Sequence, residues 1–286
     1  MNPEVTGFYH EDSGSIVYVV REGGSRKAAI VDSVLDFDPS SGRVSTETAE
    51  QVLAFVREHD LEVVWHLETH AHADHFSAAS WLKERLGGQI AIGATVLKVQ
   101  RLWKEIYNFG DECATDGSQF DRLLADGETF SIGGLEGRVM DTPGHTPANV
   151  TYVIGDAAFV ADTIFQPDFG TARCDFPGGS ARELYHSIEK ILALPSETRL
   201  FTGHDYMPGG RDPAWESTVA EQKATNCHLK DRPSEAAFVE MREARDATLP
   251  MPKLILHALQ ININAGRLPA PEDNGTAYLK IPLNRL

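Results

Sequence analysis

The stretch Thr69-His70-Ala71-His72-Ala73-Asp74-His75 packs three imidazoles and a carboxylate into one short run of chain. Neutral imidazole and carboxylate are the ligands expected for zinc, iron or manganese. In extended backbone, residues i and i+2 point the same way, so His70 and His72 can reach one metal ion. Asp74 and His75 then face a second metal or hydrogen-bond the ligands of the first. Three more candidates stand alone in the sequence. His145 follows Asp141-Thr142-Pro143-Gly144, Asp162 ends the apolar run Ala158–Ala161, and His204 follows Phe201-Thr202-Gly203. Each is predicted at or just past a strand end, where α/β folds place functional side chains. His10, His59, His66, His186, His228 and His257 lack such company and read as surface or satisfied core residues.

These side chains need elements to hold them. Ser15–Arg21 and Ala28–Leu35 are rich in Val and Ile and read as strands. A helix is predicted from Ser45, as N-cap, to about Asp60, with Val52, Leu53 and Val56 on its apolar face. Leu61–Thr69 reads as a buried strand running into His70, and Phe76–Leu86 as a helix stopped by Gly87-Gly88. Gln89–Gly93 is a short strand and Thr95–Tyr107 a helix. Strands follow near Glu128–Ile132, Glu136–Asp141, Val150–Ile154 and Ala158–Ala161, with glycine turns between several of them. Ala181–Leu194 is helical and Arg199–Thr202 extended. Two helices are expected near Trp215–Leu229 and Ser234–Leu249, then a strand-like patch at Leu254–Ile263. This order predicts two α/β halves with sheets packed together and helices outside.

The chain has 286 residues, 42% of them apolar, which allows a sizeable core. No apolar run approaches the roughly 20 residues of a membrane helix. The start, Met1-Asn2-Pro3-Glu4, lacks the basic and apolar regions of a secretory signal, so a cytoplasmic location is the expectation. The net charge of −16 argues against nucleic-acid or anionic-membrane partners, though a local arginine can still dominate one pocket. Cys113, Cys174 and Cys227 are too scattered for a disulfide framework or a zinc ribbon and read as reduced thiols.

The succession H-x-H-x-D-H, Pro143-Gly144-His145-Thr146, Ala161-Asp162-Thr163 and Gly203-His204-Asp205-Tyr206 resembles the metallo-β-lactamase superfamily over nearly the whole chain to about residue 210. The resemblance implies an αββα sandwich with the metal site at one edge of two packed sheets. It implies a catalytic core at 1–210, with C-terminal helices and an extended tail, 211–286, packed on it. It also draws His145, Asp162 and His204 into the site of His70, His72, Asp74 and His75.

Such a set can hold two zinc ions with Asp162 bridging, as in glyoxalase II-like thioester hydrolases. It can equally hold one iron through two histidines and one carboxylate. The segment Gly170-Thr171-Ala172-Arg173-Cys174-Asp175-Phe176, then Leu184-Tyr185-His186-Ser187-Ile188, is similar to the persulfide dioxygenases, whose Arg-x-Asp-Phe is matched by Arg173, Asp175 and Phe176. Gln260–Arg267 resembles the C-terminal segment of the bacterial β-lactamase-like branch of that family. The resemblance implies one Fe(II) per chain on His70, His145 and Asp162. His72, Asp74, His75 and His204 would then support these ligands or, in the alternative, hold a second metal. It implies glutathione persulfide and O2 as substrates and sulfite and glutathione as products, with a homodimer as the assembly. Arg173 and Tyr206 are the residues expected to bind substrate, Arg173 because a guanidinium grips a carboxylate bidentately. A non-catalytic binding module is the third reading, and the complete ligand set speaks against it.

Overall fold

The computed structural model describes residues 2–286. In chain order the first half runs β1 (Pro3–His10), β2 (Ser15–Glu22), β3 (Lys27–Val31), β4 (Val34–Asp38), β5 (Arg43–Ser45), α1 (Glu47–Glu58), β6 (Glu62–Glu68), β7 (Phe76–Ser77), α2 (Ala79–Leu86), β8 (Gln89–Gly93) and α3 (Val96–Tyr107). The second half runs β9 (Arg122–Leu124), β10 (Thr129–Ile132), β11 (Leu135–Asp141), β12 (Val150–Ile154), β13 (Ala157–Ala161), α4 (Ala181–Leu192), β14 (Arg199–Thr202), β15 (Glu216–Thr218), α5 (Val219–Thr225), α6 (Glu235–Asp246) and α7 (Ile255–Asn262).

Two six-stranded sheets form, ordered β1-β2-β3-β6-β8-β9 and β10-β11-β12-β13-β14-β15, with β5-β4-β7 as a small third sheet. Alternation along the central strands makes the layers. Ile16, Tyr18 and Val20 of β2 face a core shared with Tyr152, Ile154, Phe159 and Phe201 of the other sheet. Val17 and Val19 face the opposite way, onto Val52 and Val56 of α1, Leu82 of α2 and Ile261 of α7. On the far side, Ala158, Val160 and Leu200 pack beneath Leu184 and Ile188 of α4 and Phe238 of α6. Strands buried on both faces read as continuous apolar runs, which is why β2, β3 and β13 look uniformly hydrophobic in the sequence. The result is the expected αββα sandwich.

The structure corrects several local expectations. Ala28–Leu35 is two strands in different sheets, broken at Asp32, whose φ of +51° is left-handed. Ser45 ends β5 and does not cap α1. Thr46 is the N-cap, and its hydroxyl donates to the Glu50 carboxylate instead of capping the backbone. Phe76 and Ser77 pair with β4 before α2 begins. The predicted helix at Trp215–Leu229 starts as edge strand β15, and only Val219–Thr225 is helical. Leu254–Ile263 is helix α7 rather than a strand, since its apolar residues lie against two different neighbours, Ile255 and Leu259 on one cluster and Ala258 and Ile261 on another.

Strands β3, β6 and β8 run parallel, as do β13 and β14. Their C-terminal ends open onto one edge of the sandwich, the place where open α/β sheets carry ligands.

Candidate metal centre

That edge collects the chemistry-bearing residues. His70, His72, Asp74 and His75 follow β6, Asp162 follows β13, and His204 follows β14. A register irregularity between Phe159 and Ala161, with Ala161 left-handed at φ +52°, turns Asp162 into the site. Strain of this kind is kept where the surroundings over-determine it. His145 sits after β11 on a loop whose Gly144 has φ +140°, and a Cβ there would lie 2.3 Å from the Leu184 nitrogen. Only glycine lets this loop lie on the start of α4.

His70, His145 and Asp162 offer ligand atoms that all lie within 4.8 Å of one another, all three residues buried. Each is oriented from behind. Thr69 donates its hydroxyl to Asp32 (2.8 Å) and so accepts from His70 Nδ1 (3.0 Å). That leaves His70 Nε2 as the lone-pair atom, buried and without a hydrogen-bond partner. His145 donates Nδ1 to the Arg173 carbonyl (2.8 Å) and turns Nε2 toward Asp162, 3.6 Å away. Such outer hydrogen bonds fix the tautomer and raise the basicity of a ligand. Burial pushes the pKa of His70 and His145 below the ordinary value, keeping both rings neutral. The orphaned His70 Nε2 and the His145 Nε2 turned toward an ionised carboxylate are the donor set a transition metal takes, so these residues fit one.

His72 does not join that group. Residues 69–75 leave strand geometry, so the i, i+2 alignment with His70 lapses. Its ring lies toward Asp32 (3.1 Å from Nε2, outside hydrogen-bond angles) and Glu68. It can also group with Asp74 and His75. Burial pushes His75 down to about 4, and its Nε2 is unpartnered.

His204 lies between two carboxylates. It donates Nδ1 to Asp162 (2.6 Å) and Nε2 to Asp74 (2.8 Å). Burial alone would strip its proton, but Asp162 and Asp74 outweigh burial and hold its pKa well above the usual value. In return, although burial opposes it, His204 holds Asp162 well below the ordinary carboxylate range. Asp74 Oδ2 also accepts from Ser15 (2.9 Å) and faces His75 Nδ1 (3.0 Å).

Three positioning residues escaped the sequence reading. Ser15 is buried and within 3.1 Å of Asp74, His75 and His204. Asp32 holds the backbone nitrogen and hydroxyl of Thr69. Its signal was available, since Ala28–Val31 ends in an acid as Ala158–Ala161 does. Asn262 of α7 donates to the carbonyls of His72 and His75 (2.8 Å each) and clamps the histidine loop. Its segment, Gln260–Arg267, carries a family resemblance in the sequence, but nothing local tied it to the histidine loop, 187 residues away in the chain.

A cleft of about 800 Å³ opens above Asp74, His145 and Asp162. Phe165, Phe169 and Tyr206 form one wall, and Tyr206 stacks on His204 with ring centroids 5.6 Å apart. Arg173 reaches the cleft but is not a free anchor. It is bidentate to Asp175 (2.7 and 2.6 Å) and donates to the Pro250 carbonyl (2.7 Å). Arg43, Arg245 and Lys253 line the cleft, and among the described residues no ion pair involves them.

The sequence profile of the metallo-beta-lactamase superfamily matches residues 11–204. A beta-lactamase hydrolase-like protein of Xylella fastidiosa is 61% identical over 99% of this chain, and the chain spans 65% of that protein's length. Glyoxylase B2 of Dictyostelium discoideum is 49% identical over 94% of this chain and 92% of its own. The mitochondrial persulfide dioxygenase ETHE1 of Homo sapiens is 30% identical over 89% and 85% respectively. Among solved structures, ETHE1 from Myxococcus xanthus superposes with a TM-score of 0.73 at 28% identity, covering 92% of this chain and all of its own.

Proposed function

The chain belongs to the metallo-β-lactamase superfamily of metal-dependent enzymes, and from that premise we propose that it is a mononuclear iron dioxygenase that oxidises a glutathione-type persulfide with O2 to sulfite and the thiol. The observation that carries this reading is His204. Both its nitrogens are held, one by Asp162 and one by Asp74, so the ring supports the Asp162 ligand and offers no free nitrogen to a second metal. His70, His145 and Asp162 would hold the iron, as three ligands on one side with the cleft on the other. Bound iron would supply the electron transfer that lets O2 and a persulfide sulfur react.

The chain's own residues do the rest. His204, hydrogen-bonded through Nδ1 to Asp162, favours the ionised carboxylate and keeps it in place. The Arg173 carbonyl sets the His145 ring, so Arg173 serves the site through its backbone while its side chain ties down the loop. Phe165, Phe169 and Tyr206 shed water from the cleft floor, where an uncharged persulfide end would rest. The unpaired cations Arg43, Arg245 and Lys253 suit the two carboxylates of a glutathione carrier. In this reading residues 1–210 are the catalytic core, and 211–286 add the cationic wall from α6 and the clamp from α7.

A second reading rests on the group His72, Asp74 and His75, which could hold another metal. It is a dinuclear zinc thioester hydrolase, and the likeness to Glyoxylase B2 supports it. The test is elemental analysis joined to oxygen uptake with glutathione persulfide after anaerobic iron loading. One iron per chain with sulfite formed supports the dioxygenase. Two zinc ions with hydrolysis of S-lactoylglutathione and no oxygen uptake would replace it.

A further inference from the structure

The metal centre is deeply enclosed: His70, His75 and His204 are each only 1–2% exposed. The proposed reaction is RSSH + O2 + H2O → RSH + HSO3− + H+. The S–S bond breaks and S–O bonds form: the outer sulfur loses five electrons, the inner sulfur keeps one of them as the thiol, O2 takes up the other four, and one proton leaves per turnover.

The β1–β2 hairpin provides a continuous file of groups that can each donate and accept a proton. Ser15 Oγ lies 2.9 Å from both Asp74 Oδ2 and His204 Nε2. It is 2.6 Å from Ser13 Oγ, which is 2.7 Å from His10 Nδ1. On the other side of the ring, His10 Nε2 is 3.3 Å from Asp36 Oδ1. Ser13 and Asp36 line the cleft, and the His10 and Asp36 side chains are 12% and 17% exposed. The file therefore begins at the buried centre and ends at water. Strand register creates it, because His10 is the cross-strand partner of Ser15. By contrast, the Asp32–Thr69 branch behind His70 ends in a carboxylate that is itself buried.

We propose that Ser15, Ser13 and His10 form a proton relay that carries the proton of turnover from the metal centre to Asp36 at the cleft wall. The inference rests on the dioxygenase reading for the source of that proton. The transfers run along these contacts: the Ser15 hydroxyl turns from Asp74 to Ser13, hands a proton on and takes its replacement from the side of the metal centre; Ser13 hands one to His10 Nδ1, and His10 releases one from Nε2 to Asp36 or water. His10 and Ser13 are positioning and relay residues, since neither touches the ligand atoms.

The test uses iron-loaded full-length protein and its variants His10→Gln and Ser13→Ala. With glutathione persulfide, kcat is expected to fall roughly a hundredfold for His10→Gln, the lower range for a positioned acid–base group, with KM and iron content unchanged. Free imidazole in the buffer should restore much of the lost rate, and the solvent deuterium isotope effect should rise. A merely structural His10 would not give rescue by imidazole. Unchanged kcat, or a loss that imidazole leaves untouched, overturns the relay. If the wild-type protein takes up no oxygen, the dioxygenase reading falls by itself. The same series is then run on S-lactoylglutathione, whose hydrolysis also releases one proton, and the same two outcomes decide the relay.

Discussion

Gly203→Ala should disable the metal centre without adding any polar group. A Cβ at this position would sit 2.5 Å from Asp162 Oδ1 and 3.1 Å from the Ala161 carbonyl carbon. Ordinary contact begins at 3.4 Å, so the carboxylate must retreat by about 0.9 Å. The backbone of residue 161 gives little relief, because Gly203 N is bonded to the Ala161 carbonyl at 3.0 Å. Retreat breaks the 2.6 Å contact with His204, a charge-assisted hydrogen bond of a kind worth about 1.5–3 kcal/mol. Lower chain entropy in the unfolded state returns about 0.4–1 kcal/mol for a glycine replaced by alanine. A net loss near 1–2 kcal/mol should lower the melting temperature by about 2–8 °C in a domain of this size. The effect on function is larger, since a ligand displaced by about 1 Å can cost a hundredfold in rate. Calorimetry with elemental analysis and turnover on the purified variant checks this. A folded Gly203→Ala protein with full metal and wild-type turnover would refute the placement of Asp162.

Replacing Asp162 itself with Ala should abolish bound metal and activity together, read by elemental analysis; retention of full metal removes Asp162 from the ligand set. Asp74→Ala should weaken metal binding by about 10–100-fold yet leave one metal per chain, because Asp74 orients His75 and His204 in the mononuclear reading. Arg245→Ala and Lys253→Ala should raise KM for an anionic persulfide by about tenfold each, and Arg173→Lys should mainly lower stability, since its guanidinium is bound to Asp175 and Pro250. His66 gives a pH dependence: burial lowers its pKa to about 4 from 6.5 while it bonds the Gly87 carbonyl. The unfolded chain therefore binds the extra proton between those values, so stability is full above pH 6.5 and falls as the pH drops toward 4, by about 3 kcal/mol in all. Denaturant titrations of wild type and His66→Gln across that window should differ in slope, and identical slopes would exclude His66 as the cause.

The seven candidate residues, which the fold gathers at one edge, stood out in the sequence because chemistry of this kind leaves local marks. Four of them sit within six residues of chain, and the others each close an apolar run or a glycine turn. The layer order was legible too, since strands covered on both faces and helices with one apolar stripe have different periods. What the sequence did not determine is how these side chains divide. His70 and His72 are two residues apart, yet one meets His145 and Asp162 while the other turns toward Asp32 and Glu68. That division depends on Asp32, Asn262 and the left-handed backbone at Asp32 and Ala161, all set by contacts between distant parts of the chain. The same holds for α7, where local β-branched character suggested a strand and the packing of Ala258 and Ile261 against the sheet made a helix. Arg173 shows the limit most directly. Its residue type suits an anionic substrate, but only the fold decides that Asp175 and the Pro250 carbonyl occupy its donors first, because hydrogen-bond partners are chosen by proximity in space.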